Sequence, residues 1–171
     1  QSIAELKRRI GELDFPTAAR RLNATVVDGK LTVKCLGKDF GVDARGNVTT
    51  EIHVNPWIAM PVLDYMVNGG GVPVSGNWVQ FAELKGGRAR NSLFEQRCEK
   101  PCRKLADADT TLFLDILHLF GKPPGDDLSA TVSLVFHPLP RVPIRIGYWE
   151  AEEGLESSLS ILFDSTAADN L

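Results

Sequence analysis

The stretch from Ala24 to Val54, ATVVDGKLTVKCLGKDFGVDARGNVTTEIHV, decides the fold class of this chain of 171 residues. Short runs of β-branched and apolar residues alternate in it with two turn signals, Asp28-Gly29 and Asp43–Asn47. An Asp-Gly pair between such runs is typical of a β-hairpin. The stretch therefore predicts a meander of short antiparallel strands, namely Ala24–Val27, Leu31–Cys35, Lys38–Val42 and Val48–Val54.

Helical patterns lie on both sides of this meander. Residues 1–22 form an N-terminal helical segment in which Asp14 is the expected N-cap of a second short helix. Further helices are predicted at 55–67 and, in pieces, at 91–120, and further strands at 130–137, 142–149 and 159–163. Helices and hairpins without regular βαβ alternation predict an α+β fold. We expect an antiparallel sheet built from hairpins, with flanking helices, in a single compact domain over residues 1–171.

Composition excludes several classes of protein. The chain has 43% hydrophobic residues, too many for a disordered protein. Its net charge of -3 and pI of about 5.6 exclude a globally basic nucleic-acid binder. No apolar run reaches the roughly 18 residues of a membrane-spanning helix, so we expect no membrane insertion. No secretory leader is visible, and the expected compartment is the cytoplasm.

Charge is distributed unevenly along the chain. Lys85 to Lys104 carries seven positive and two negative residues, a net charge of +5, whereas Glu150 to Asp169 carries six negative and no positive residues, a net charge of -6. One interpretation is an anion-binding face opposite an acidic one. The alternative is that the two segments face each other or simply solvate the surface.

Cys98 and Cys102 form the most reactive-looking motif. If Pro101 opens a helix, Cys102 lies in its first turn, where the helix dipole and Lys100 would favour the thiolate. Two thiols could also share a metal, but a zinc or iron–sulfur site takes four ligands and the chain has no second cysteine pair. The pair is therefore a weak metal candidate, with a cluster expected only if a missing domain or partner completes it. Ordinary structural thiols are the alternative.

The three histidines form no motif. His53 is expected to face solvent, and so is His118 beside Asp115, because the helical projection places both opposite the apolar face. His137 is the candidate axial metal ligand. The loop Gly69–Gly71 could cradle a phosphate, although a helix C-cap followed by a turn is the commoner use of such glycines.

No nucleophile–base arrangement, nucleophile elbow or Walker A motif occurs, so the case for an enzyme is thin. The aromatic residues Trp78, Phe81, Tyr148 and Trp149 lie near predicted strand ends or turns. They could line an apolar pocket for a flat cofactor, with Arg141 or Arg145 holding a carboxylate or phosphate. Filling the core is their alternative role.

Three segments together resemble the DUF3786 family, a bacterial and archaeal domain of unknown function from anaerobes. They are GNWVQFAELKGG at 76–87, Arg141-Val142-Pro143 followed by Trp149-Glu150, and ILFDSTA at 161–167. The resemblance runs from about Phe15 to Leu171. It implies a further helix beyond the last segment, so we expect the chain to be truncated at its C-terminus. It also implies that some members carry an N-terminal four-cysteine iron–sulfur domain.

The resemblance suggests anaerobic one-carbon, corrinoid or redox metabolism and supplies no catalytic residues. Our first hypothesis is a cofactor-binding accessory domain for a corrinoid (such as cobalamin) or another tetrapyrrole. Its proposed binding residues are His137, Arg141, Arg145, Trp149, Trp78, Phe81 and Gly70. The alternative is a protein-interaction module that docks onto an iron–sulfur or corrinoid partner protein through the +5 segment.

Overall fold

Helices and antiparallel strands follow one another without βαβ units in the structure, a computed structural model that describes residues 1–126 and 130–171. The predicted α+β class is confirmed. The helices are α1 (Ile3–Ile10), α2 (Phe15–Leu22), α3 (Pro56–Asn68), α4 (Asn91–Phe94), α5 (Lys100–Ala108) and α6 (Thr110–Phe120). The strands are β1 (Thr25–Val27), β2 (Lys30–Cys35), β3 (Lys38–Val42), β4 (Val48–Thr49), β5 (Trp78–Gln80), β6 (Val132–Leu139), β7 (Val142–Trp149) and β8 (Ser158–Asp164).

Contacts divide the chain into two compact units. The first, called unit 1, comprises Gln1–Val74, His137–Val142 and Thr166–Leu171. The second, called unit 2, comprises Ser75–Phe136 and Pro143–Ser165. The described strands form two four-stranded sheets, in the orders β1-β2-β3-β4 and β5-β8-β7-β6.

The first sheet belongs to unit 1 and is the predicted meander. Val33 pairs with Phe40 across β2 and β3, and both side chains are buried. The predicted fourth strand is wrong in length: only Val48 and Thr49 pair with β3, and the chain leaves the sheet before Val54. The strand ends where its pairing with β3 ends, although the alternating residue types continue to Val54.

Helix caps begin the helices of unit 1 where the sequence places them. The Asp14 carboxylate accepts a hydrogen bond from the Thr17 N–H at 3.0 Å, and Asn55 caps α3 in the same way. On α3, the buried Tyr65 hydroxyl donates to the Leu22 carbonyl at 2.7 Å. Burial raises the pKa of Tyr65 to about 12, so this hydroxyl stays neutral and keeps its donor.

The C-terminal turn of unit 1 is closed by Asn170, which is fully buried. Its side-chain oxygen accepts from the Val72 N–H at 2.9 Å, and its amide group donates to the carbonyls of Val72 and Arg141. One side chain thus satisfies backbone groups from two distant segments, as a buried polar group must.

The second sheet carries the core of unit 2. Leu134, Phe136, Ile146 and Ile161 form a buried cluster on it. Phe94, Cys98 and Cys102 pack against this cluster from a helical stretch that runs continuously from Asn91 to Ala108. Its middle segment, Glu95–Glu99, is a π-helix.

The π-helical segment keeps the inner face of this stretch in register. In an α-helix, residues four apart drift around the axis by about 40° per step. A π-helical turn contains more residues, so four residues fall short of a full turn and offset this drift. Phe94, Cys98, Cys102 and the fully buried Ala106 therefore all face inward at a constant spacing of four.

Asp164 joins the start of β5 to the end of β8 within unit 2. Its fully buried carboxylate accepts hydrogen bonds from the Gly76 N–H at 2.7 Å and from the Ser75 N–H and hydroxyl at 3.1 Å each. Donors to an ionised acceptor form strong bonds, and a buried carboxylate requires them.

Replacing Asp164 with asparagine should destabilise the protein by about 2–3 kcal/mol, because a neutral amide turns two hydrogens toward groups that are themselves donors. The free energy of unfolding in urea measures this loss. Asp169→Asn, at an exposed position, is the matched control and should change little. Equal stability of the two variants would contradict the role given to Asp164.

Candidate functional site

The seven proposed cofactor-binding residues fall in both units. His137, Arg141 and Gly70 belong to unit 1, whereas Trp78, Phe81, Arg145 and Trp149 belong to unit 2.

His137 lines a cavity of about 300 Å³ in unit 1. Its imidazole is exposed, and its carbonyl accepts from the Leu36 N–H at 3.2 Å. Lys34 and Asp39, which also line the cavity, pair with each other at 2.8 Å. The cavity therefore offers one imidazole beside a balanced ion pair.

Arg141 and Gly70 are engaged in holding unit 1 together. The Arg141 Nε donates to the Arg21 carbonyl at 2.8 Å, and its backbone N–H donates to the Tyr65 hydroxyl. The Gly70 N–H donates to the Asp169 carbonyl at 3.0 Å. The loop amide on which a phosphate cradle would depend already has a partner.

The Arg145 side chain is also fully engaged in hydrogen bonds within unit 2. It is 3% exposed, and its guanidinium makes a two-pronged pair with Asp126, at 3.0 and 2.6 Å. Its Nε donates to the Ser133 hydroxyl. Hydrogen bonding to Arg145 lowers the pKa of Asp126, which favours the ionised carboxylate in this pair.

The aromatic candidates of unit 2 have different surroundings. Phe81 stacks on Phe94 with ring centroids 4.4 Å apart, and both rings contact Phe163. Trp78 is half-buried and pairs with Asp164 across β5 and β8. Trp149 lines a separate cavity of about 490 Å³. Phe81 is therefore a packing residue, while Trp149 borders open space.

Two of the proposed residues line cavities among the described residues. The cavity at His137 and the cavity at Trp149 contain none of the other proposed residues. The cavity at His137 lies at the lower limit for a drug-sized ligand, and a corrinoid is larger than such a ligand. In the part of the chain that the structure describes, no group of three or more His, Cys, Asp or Glu residues could hold a metal.

The condition set for a reactive Cys102, a helix that opens at Pro101, is not met. The helix does not begin at Pro101, because the π-helical segment continues directly into α5 and no free N-terminus faces the thiol. Burial, followed by the negative charge of nearby groups, raises the pKa of Cys102, and burial likewise raises that of Cys98. Both cysteines are free thiols that pack on the core of unit 2.

The outer side of the same helical stretch carries three cations of the +5 segment. Arg97, Lys100 and Lys104 follow one another at spacings of three and four, and all three are exposed. Leu93 and Leu105 accompany them and are also exposed. We call these five residues the cationic face.

The cations of this face make no ion pair with the acidic residues that the structure describes. Within residues 1–126 and 130–171, no ion pair involves Arg97, Lys100 or Lys104. Arg103 differs, since its Nη2 meets Glu156 at 3.2 Å and its Nε donates to the Ser157 hydroxyl at 3.0 Å. Within the helical stretch, Arg97, Lys100 and Lys104 therefore point to solvent, whereas Arg103 makes contacts within unit 2.

Helix α6 exposes apolar side chains of its own. Leu112, Ile116 and Leu119 follow at spacings of four and three, which places them on one side of the helix, and Leu119 is 77% exposed. His118 and Asp115 are exposed as predicted, and His53 is exposed too. An apolar stripe of this kind is a frequent mark of an interaction site.

A polar network that the sequence did not reveal lies at Asp107. One carboxylate oxygen accepts from the Tyr148 hydroxyl and the other from the Ser157 hydroxyl, both at 2.8 Å. These hydrogen bonds, with the charge of Arg103, lower the pKa of Asp107. The residues lie at 103, 107, 148 and 157, so no local motif signals the network.

The comparison with known families places these features in context. The model of the domain of unknown function DUF3786 matches residues 14–171. The chain belongs to the DUF3786 family. No curated protein and no solved structure matches it.

Two of the three sequence segments that resemble DUF3786 contain residues that stabilise the fold. Asp164, in the third segment, holds the turn at Ser75 and Gly76. Gly87, in the first, lies so close to the Phe81 carbonyl that a side chain there would clash with it. These two positions of the DUF3786 segments therefore maintain the fold.

Asp107 predicts a specific pH dependence. Its pKa is lower in the folded chain than the ordinary value of 3.8, so its hydrogen bonds stabilise the protein above pH 3.8 and this contribution fades as the pH falls through the folded-state pKa. Urea unfolding of the wild type and of Asp107→Asn should show a stability gap that shrinks below pH 3.8. A gap of constant size across this range would contradict the assignment.

Proposed function

We propose that this DUF3786 domain is a protein-interaction module that docks onto an acidic protein through its cationic face. The observation that carries this proposal is the set of free outward charges: Arg97, Lys100 and Lys104 are exposed on one side of a helix whose other side is fixed to the core. Charges without internal partners contribute little to stability and are available to a partner.

The arrangement of the cationic face favours a protein as the partner. Leu93 and Leu105 lie among the cations and add apolar contact area, with exposed fractions of 47% and 64%. Complementary charges steer an encounter and set its rate, and apolar groups add affinity once water is excluded. An acidic surface with apolar residues between its carboxylates matches both features.

Helix α6 supports the same proposal. Its outward apolar side chains belong to the unit that carries the cationic face, and they have no cover in the described structure. No helix in the described part of the chain has the length and apolar character needed to cross a membrane.

The other expectations from the sequence stay predictions. They are corrinoid or tetrapyrrole binding, an iron–sulfur or corrinoid protein as the partner, an anaerobic metabolic setting and a cytoplasmic location. The geometry favours docking over cofactor enclosure, because the cationic face is free whereas Arg141, Arg145 and Gly70 are already hydrogen-bonded.

The proposal predicts salt-sensitive binding to an acidic amphipathic peptide that places glutamates and leucines on one helical face. Fluorescence anisotropy of the labelled peptide measures the association rate. The triple variant R97Q/K100Q/K104Q should slow association about tenfold at low salt, and the difference should largely disappear near 0.5 M salt, where the Debye length is only about 4 Å.

The control variant R20Q/K38Q/R45Q makes the same charge change at exposed positions of unit 1 and should leave association nearly unchanged. Equal slowing by the two triple variants would show attraction by net charge alone and contradict a docking face. Binding to anionic phospholipid vesicles but not to the peptide would also contradict it, since the face would then contact a membrane surface.

A further inference from the structure

The loop between β7 and β8 of unit 2 has the composition expected of a partner for the cationic face. It runs from Glu150 to Glu156 with the sequence EAEEGLE, and all seven residues are exposed. Four of them are glutamates, and Leu155 among them is 69% exposed. This segment, which we call the acidic loop, therefore combines carboxylates with an apolar side chain.

A tight turn holds the acidic loop in one shape. The Glu152 N–H donates to the Leu155 carbonyl at 3.1 Å, and the Leu155 N–H donates to the Glu152 carbonyl at 2.9 Å. Gly154 supplies the positive φ, 82°, at the third position of this turn, where glycine is favoured. Because the loop is already ordered, docking it on another surface costs little conformational entropy.

Within one copy, the acidic loop pairs with only one cation of the helical stretch from Asn91 to Ala108. Glu156 meets Arg103 at 3.2 Å, so the loop and the helix lie side by side. The other three glutamates of the loop form no ion pair among the described residues, and neither do the three cations of the cationic face. Two complementary surfaces therefore adjoin at Arg103 without neutralising each other.

The unpaired charges of the two surfaces match in number and in length. The three cations extend from Arg97 to Lys104, about 10 Å at the rise of an α-helix. The three carboxylates extend from Glu150 to Glu153, at most about 10 Å for an extended chain. Each cation of one surface can therefore face a carboxylate of the other when two copies meet.

We propose that two copies of this chain associate with the cationic face of each docked on the acidic loop of the other. This inference rests on the proposed function and names a second copy as the acidic partner. Because the two surfaces adjoin on one molecule, contact of a face with a partner's loop also brings the reverse pair together, which closes a two-fold dimer. Two small contacts of this kind are typical of a reversible interface.

Charge exchange between the two surfaces tests the dimer. The variant R97E/K100E/K104E has an acidic face, and the variant E150K/E152K/E153K has a basic loop. Each variant alone should stay monomeric in sedimentation equilibrium, because like charges then meet in both contacts. An equimolar mixture should form a heterodimer, since both of its contacts again pair opposite charges.

The wild type and a control variant complete this experiment. The mass of the wild type should rise from 18.7 kDa toward twice this value as the concentration increases through the micromolar range. Its association constant should fall at least tenfold at high salt, which screens the charges. The control R20E/K38E/R45E reverses three exposed charges of unit 1 and should associate as the wild type does.

The dimer and the proposed function have separate outcomes. A wild type that stays monomeric but binds the acidic amphipathic peptide would overturn the dimer and leave another acidic protein as the partner. A monomeric mixture of the two charge-reversed variants would overturn the dimer as well, and so would equal loss of association in the unit 1 control. Excess peptide should convert wild-type dimers into monomers, because the peptide and the acidic loop compete for the same face. Absence of both self-association and peptide binding would overturn the two proposals together.

Discussion

The attachment of one helical stretch, Asn91 to Ala108, to the second sheet is the contact on which the remaining features of unit 2 depend. Phe94, Cys98 and Cys102 enter the apolar cluster of the sheet at a constant spacing of four. The Glu99 carboxylate accepts from the Ile161 N–H of β8 at 3.1 Å, which adds a polar tether to the apolar contact. A helix fixed along one side has no freedom to rotate, so the direction of every other side chain on it is determined.

Two surfaces follow from this fixed orientation. Arg97, Lys100 and Lys104 face outward on the cationic face and make no ion pair within residues 1–126 and 130–171. Arg103 and Asp107 are directed toward the β7–β8 turn instead, where Ser157 and Glu156 meet them. Among the described ion pairs, only that of Arg103 with Glu156 joins the basic segment at 85–104 to the acidic segment at 150–169. Arg97, Lys100 and Lys104 are exposed on one surface, whereas Arg103 is used in contacts with Glu156 and Ser157.

Local patterns in the sequence predict the parts of this structure that local physics controls. Helix caps such as Asp14, hairpin turns such as Asp28-Gly29 and the α+β class are confirmed, because each depends on a few neighbouring residues. The site predictions rested on residue types alone. Arg145 suited a phosphate, but its partner Asp126 comes from a different segment, and only the fold brings the two together. The sequence suggested a helix that opens at Pro101. In the structure a π-helical segment precedes α5 directly, which a proline in the first turn of α5 allows.

Acetylation footprinting of the lysines tests the central claim most directly, since it reports which face of the protein a partner covers. The protein would be treated with a lysine-acetylating reagent with and without the acidic amphipathic peptide, and the modified sites quantified by mass spectrometry. The account predicts that the peptide protects Lys100 and Lys104 while Lys38, exposed in unit 1, reacts equally in both conditions. Equal protection of all three lysines, or protection of Lys38 alone, would contradict it.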